Sequence, residues 1–268
     1  MSEPSPQPYT SRAIKATALL EETRALLRAW HPGETSDALR KRARDEDILG
    51  KATRARAVDV VEHAFVRRLM VDGGEPATSL RQLLVRRGNG PWFAQLCLLF
   101  AARADVVLRE AITVFVRSAA ERGLEHVTSA AFGEFLQDQE ERGRMRSPWS
   151  SSVHIRVARH VLHQLTDLGV LGDSRRGARE ILGYRAGPLA VAWLACELHR
   201  LGFSDSAIVS HPDWSIWQMR PADVRASLDR SSDLGLWIIQ SAGSVVRITW
   251  TCKEWREVLA VLEEPSVE

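Results

Sequence analysis

One stretch limits the possible folds more than any other: SPWSSSVHIRVARHVLHQLTDLGVLGDSRRGAREILGYR, residues 147–185. Pro148 and the serines Ser150, Ser151 and Ser152 are turn and cap chemistry, with hydroxyls able to accept from free amides at a helix start. Val153, Val157, Val161, Leu165 and Leu168 then recur at spacings of three and four, the signature of a helix with one apolar face. Ser152, Arg156, Arg159 and His163 fall on the opposite face. Gly169 is a stop signal. Val170 and Leu171 begin an extended run, Gly172–Gly177 form a basic turn, and a second extended run follows near Arg179–Arg185.

A capped two-faced helix followed by a basic two-stranded loop is the layout of a winged helix-turn-helix. There the first turns of the helix enter the major groove and the loop lies along the phosphates. Charge points the same way. Between Arg142 and Arg185 nine arginines face only Asp167, Asp173 and Glu180, a net of +6 in a chain whose total is +2. The plainer alternative is a long helix with solvated arginines. The coincidence of cap, amphipathic helix, basic loop and charge asymmetry favours a nucleic-acid-facing element.

The remainder reads as mainly helical. Residues 1–9 read as an unstructured tail. Tyr9–Trp30 is predicted as a helix, as are Ser36–Asp47, Thr53–Leu69, Ser79–Arg87, Trp92–Arg103, Asp105–Arg122 and Thr128–Glu141. No strand is predicted before Val170. A helical N-terminal domain over 10–125, its boundary falling between about 90 and 145, precedes a winged-helix region over 126–268.

Lys51, Arg54 and Arg56 crowd the start of one helix, where cations are slightly unfavourable. Phosphate contact is one explanation; salt bridges to Asp45, Glu46 or Asp47 are the duller one. After Pro188 come an apolar helix to Leu201, a helix at Pro221–Ser232 and a hairpin of Leu236–Gln240 with Val245–Trp250 turning at Ser241–Ser244. Lys253–Leu262 is a closing helix. Asp233-Leu234-Gly235 echoes Asp167-Leu168-Gly169, so 188–268 reads either as a second winged-helix-like unit or as a chance resemblance. Seven basic against eleven acidic residues from 186 onward argue against a second DNA surface.

Enzyme chemistry finds no foothold. Neither common phosphate-cradling glycine pattern, nor a nucleophile elbow, nor His-Glu-x-x-His occurs. His160 and His163 share a helix, but without nearby cysteines or carboxylates they read as exposed or partner-bonded histidines rather than metal ligands. Trp149 is expected to anchor the helix entry, with contact to a sugar or base as the alternative. Cys97, Cys196 and Cys252 are isolated from one another among apolar residues, as in reduced cytoplasmic proteins. The start carries no secretion signal, and the apolar runs are about half of a bilayer span. No cofactor, small-molecule substrate or membrane partner is expected.

Three segments resemble the BrxA family of BREX bacteriophage-defence systems. YTSRAIKATALLEETRALLRAW (Tyr9–Trp30) is similar to that family's first helix. DILGKATRARAVDVVEHAFVRRL (Asp47–Leu69) resembles its Leu-Gly-Lys-x-[Ser/Thr]-Arg-x-Arg motif, and SPWSSSVHIRVARHVLHQLTDLGVL resembles its Trp-Ser-x-Ser-containing helix. The correspondence weakens after Tyr184. The resemblance implies a small, all-helical, non-enzymatic DNA-binding component working beside a methyltransferase, an ATPase and other BREX subunits.

The combined expectation is a double-stranded DNA-binding protein. Ser151, Ser152 and Arg156 approach base edges, while Arg146, Arg159, Arg175 and Arg176 contact phosphates; Lys51, Arg54 and Arg56 are secondary candidates. A protein-interaction scaffold and a transcriptional regulator are the competing readings.

Overall fold

The computed structural model describes residues 8–14, 18–51, 53–242 and 245–264. The chain is mainly helical, with two small antiparallel strand pairs. Helix α1 is Leu20–Ala29 and α2 is Ser36–Asp45, the latter capped by Thr35, whose Oγ1 accepts from the Ala38 amide at 3.2 Å. Helix α3 runs over residues 54–69, with Thr53 Oγ1 accepting from the Arg56 amide. Helix α4 (Glu75–Arg87) starts four residues earlier than the sequence predicts. Pro76 sits in its first turn, where its missing N–H costs nothing.

Helix α5 (Pro91–Ala104) is apolar on nearly every side and lies at the centre, touching the end of α3, helix α6 (residues 106–121) and elements from the C-terminal third. Asp105 caps α6 through Oδ1, which accepts from the Val107 amide at 2.9 Å. Strand β1 (His126–Thr128) leads directly into α7 (Ser129–Glu141), capped by Thr128 as expected. Helix α8 (Ser151–Asp167) follows, then β2 (Ala178–Glu180), which pairs antiparallel with β1: His126 opposite Glu180, Thr128 opposite Ala178. The absence of any strand before Val170 is thus corrected. Three residues carry no readable alternation; β1 exists because β2, fifty residues later, supplies its partner.

The first predicted helix is also corrected. Tyr9–Trp30 is not one helix: Ser11–Ile14 form a short 3₁₀ turn, residues 15–17 lie outside the described residues, and Leu19 has a left-handed backbone (φ 53°) before α1. Tyr9, at the start of the predicted helix, is instead anchored in the core. Its side chain is buried and its O–H donates to Glu110 Oε2 at 2.6 Å; its amide donates to the Arg144 carbonyl at 2.7 Å. Burial beside the Glu110 carboxylate pushes the Tyr9 phenol well up. Most of the tail assigned to residues 1–9 lies outside the described residues; Tyr9 itself is core.

The last third packs on α5. Helix α9 (Pro188–Arg200) is buried along its length; α10 (Asp205–Val209) and a 3₁₀ segment, Pro212–Trp217, follow. Then come α11 (Pro221–Arg230), the hairpin β3 (Trp237–Ala242) and β4 (Val245–Trp250), and α12 (Trp255–Leu262). The hairpin's register sets Trp237 opposite Trp250; Ser241 and Ala242, expected in the turn, extend β3 instead, and Gly243 and Ser244 of the expected turn lie outside the described residues. One hydrophobic core runs through both ends of the chain, from Tyr9 to Leu262.

Candidate nucleic-acid interface

The backbone of the site is α8. Val157, Val161, Leu162 and Leu165 are fully buried against α7, and α7 is in turn locked to α6 by the ring cluster Phe115, Phe132 and Phe135. Ser152, Ile155, Arg156, Arg159 and His163 face outward. This division is the one the spacing predicts.

The start of α8 is held differently from expectation. Ser150 is the N-cap, but its hydroxyl reaches no free amide; it lies 3.0 Å from Ser152 Oγ. Its carbonyl accepts from Val153 and His154 instead. The grip comes from Glu140 on α7: Oε1 accepts from the Trp149 amide at 2.6 Å, and Oε2 lies 3.1 Å from His154 Nε2. The Trp149 ring packs 5.5 Å from that of His154, the anchoring role expected of it. The preceding connector is buckled from the other side, since Arg144 Nη2 donates to Glu110 Oε1 at 2.6 Å and lies over the Tyr9 ring.

After Gly169, whose φ of +77° explains the glycine, Val170 and Leu171 run antiparallel to the segment after β2. The Leu182 amide donates to Val170 O, and the Gly172 amide donates to Glu180 O at 2.8 Å. Arg175 and Ala178 exchange two backbone hydrogen bonds across Arg176 and Gly177, both at positive φ (51° and 83°). This is a two-residue type I′ hairpin turn. Asn-Gly suits such a turn; an arginine at its first position costs about 1 kcal/mol of backbone strain. Thr166 ties the loop to the last turn of α8: its Oγ1 donates to the Gly172 carbonyl and accepts from Arg179 Nε at 3.1 Å.

The nine arginines of 142–185 now separate. Arg142 pairs with Asp138, Arg144 with Glu110, and buried Arg179 with Thr166. Arg146, Arg156, Arg159, Arg175, Arg176 and Arg185 are exposed and make no ion pair among the described residues. Ser151 and Ser152 are exposed in the first turn. Burial, and then the charges of Arg156 and Arg159, push the His160 imidazole below its ordinary value. His163 lies 3.8 Å from Asp167.

The secondary candidates are divided. Lys51 Nζ donates to Glu22 Oε1 at 2.6 Å, a partner on α1 rather than the expected Asp45, Glu46 or Asp47. Arg54 and Arg56 are exposed on the first turn of α3. Sequence reasoning missed Tyr9, Glu110 and Glu140, which position the site without belonging to its surface. Their signal is absent from local pattern because each partner is distant in sequence.

Fold and surface together define a mainly helical protein presenting unpaired arginines on one helix and the hairpin turn behind it. A sequence-family model, BrxA, matches residues 7–185, and the chain belongs to the BrxA family. That membership makes it a component of BREX phage defence. Among solved structures, the crystal structure of an uncharacterized protein from Magnetospirillum magneticum has a similar fold. Its TM-score is 0.57 at 19% identity, over 72% of this chain and 95% of that one. No curated protein matches the sequence. Among the described residues, no helix is long and apolar enough to cross a membrane.

Proposed function

We propose that this protein is a non-enzymatic, double-stranded DNA-binding accessory component of its BREX system, acting through a winged helix-turn-helix. In this reading α6, α7 and α8 are its three helices. The small sheet is β1, Val170–Leu171 and β2, and Gly172–Gly177 are the wing. One observation carries the reading: five exposed arginines on α8, its approach and the hairpin turn have no carboxylate partner among the described residues, and one of them occupies a strained turn position. Unpaired surface guanidinium groups kept at a folding cost suit phosphate oxygens, which they contact in bidentate fashion.

Binding of a random-sequence duplex, followed by fluorescence anisotropy across a salt series, tests it. Each phosphate neutralised should lower log K by about 0.9 per log unit of salt. No binding even at low salt defeats the proposal.

The second reading is a scaffold for other BREX subunits. It is favoured by the acidic C-terminal third, where Leu201 and Ile238 are more than half exposed. Co-purification with neighbouring gene products that survives nuclease treatment, from a protein without DNA affinity, would select it.

A further inference from the structure

The outer face of α8 carries one residue that neither folding nor phosphate binding explains. Ile155 is 57% exposed, and it stands between Ser152, Arg156 and Arg159. The four residues are spaced i, i+3, i+4 and i+7, so they form one stripe along the helix. On such a face isoleucine gains little burial, and its branched Cβ makes it a poorer helix former than alanine, lysine or glutamate. The other large exposed apolar residues lie on other elements, so among the described residues Ile155 is not part of a wider apolar patch on α8.

Resting on the DNA reading above, we infer that Ile155 reads the C5-methyl group of a pyrimidine in the major groove. The groove offers donors and acceptors to Ser152, Arg156 and Arg159, but one apolar complement to an aliphatic side chain: the methyl group of thymine. 5-Methylcytosine presents a methyl at the same ring position. Arg156 and Arg159, one and four residues further on along the same flank, bring the helix against the backbone and hold Ile155 at base-edge depth. Closing an isoleucine over one methyl is worth about 0.8 kcal/mol, or roughly fourfold in affinity. This makes the interface weakly selective rather than indifferent to sequence.

The test compares anisotropy titrations on matched duplexes: thymine against uracil at every T position, and cytosine against 5-methylcytosine at every C position. Wild type, Ile155→Ala and Ile155→Val are each measured over a salt series. The expected result is a preference of about fourfold for the methylated member of a pair, absent in Ile155→Ala and largely kept in Ile155→Val, with one salt slope throughout. A preference confined to thymine, or to 5-methylcytosine, identifies the source of the methyl. Equal binding of methylated and unmethylated duplexes with an intact salt slope overturns the inference and leaves the arginine surface standing. A preference that survives in Ile155→Ala overturns it too. Failure to bind any duplex removes the DNA reading and the inference together.

Discussion

Two parts of this chain are built to a similar local plan and end with different surfaces. In each, a helix runs into Asp-Leu-Gly, the glycine takes a positive φ (77° at Gly169, 72° at Gly235), and antiparallel extended segments follow. In the first, α8 buries its apolar face on α7 and leaves arginines free on the other side. In the second, the strands are longer and the hairpin is sealed inward. Trp237 is buried, and its Nε1 donates to the Leu228 carbonyl on α11 at 3.0 Å; the Ile248 amide donates to Asp205 on α10. An ion network built on two buried carboxylates welds the second part to the centre of the molecule. Arg103 on α5 makes a two-pronged pair with Glu197 of α9 and a further bond to Asp213, which Arg109 also contacts. The family match ends at residue 185, so this welded part lies beyond it. A helix-to-hairpin joint therefore fixes local geometry alone; what the joint presents depends on the side chains around it, net basic at the first joint and net acidic from residue 186 onward.

The largest expected effect breaks the comparison directly. Reversing Arg156, Arg159, Arg175 and Arg176 to glutamate should cost about a thousandfold or more in duplex affinity, since each lost charged contact is worth about 1.5–3 kcal/mol. Reversing Arg220, Arg225, Arg230 and Arg247 in the second part should change affinity by only a few-fold. Similar losses from both sets, read by anisotropy, would dissolve the distinction.

Next in size, Arg103→Met should destabilise the protein by about 3–5 kcal/mol in urea unfolding, because Glu197 and Asp213 are left buried without their main partner. Trp237→Ala should cost a similar amount, about 3–5 kcal/mol, through a cavity and a lost hydrogen bond. Both should leave the salt slope of DNA binding unchanged wherever the variant is folded.

Arg176→Asn sharpens the contrast at a single residue. It relieves the left-handed strain and should stabilise the fold by up to about 1 kcal/mol while weakening DNA binding several-fold. Folding and binding would then pull in opposite directions at one position, as expected if Arg176 is kept for its charge.

The smallest effect is a titration. With His160 held below its ordinary value, the unfolded chain takes the proton more readily. The neutral group's small stabilising contribution is present above the unfolded value, near 6.5, and lost as pH falls through the window below it. Phosphates beside Arg156 and Arg159 should cancel their repulsion and raise the His160 pKa, which an NMR titration with and without duplex would register.

Much of the helix set was legible in the sequence because its causes are local. Thr35, Thr53, Asp105 and Thr128 cap the helices they precede, and the three- and four-residue spacing of Val157, Val161 and Leu165 alone dictates which face of α8 is buried. The hairpin of β3 and β4 was legible too, from two extended runs flanking a turn signal, but its register was not, because Ser241 and Ala242 join the strand. The clustering of arginines was visible as well, and with it the region of the candidate site.

Tertiary structure decided which of those arginines remain available. Arg144 and Arg179 count the same as Arg156 in a charge sum, yet the first is consumed by Glu110 and Tyr9 and the second by Thr166. It also decided that Tyr9 is anchored on Glu110, that β1 exists, and that Lys51 pairs with Glu22. Each of these depends on a partner 13 to 101 residues away. Caps and periodicity act within a helical turn or two, and a single chain displays them. A long-range pair forms only when the fold repays the entropy of bringing its partners together, which no local pattern records.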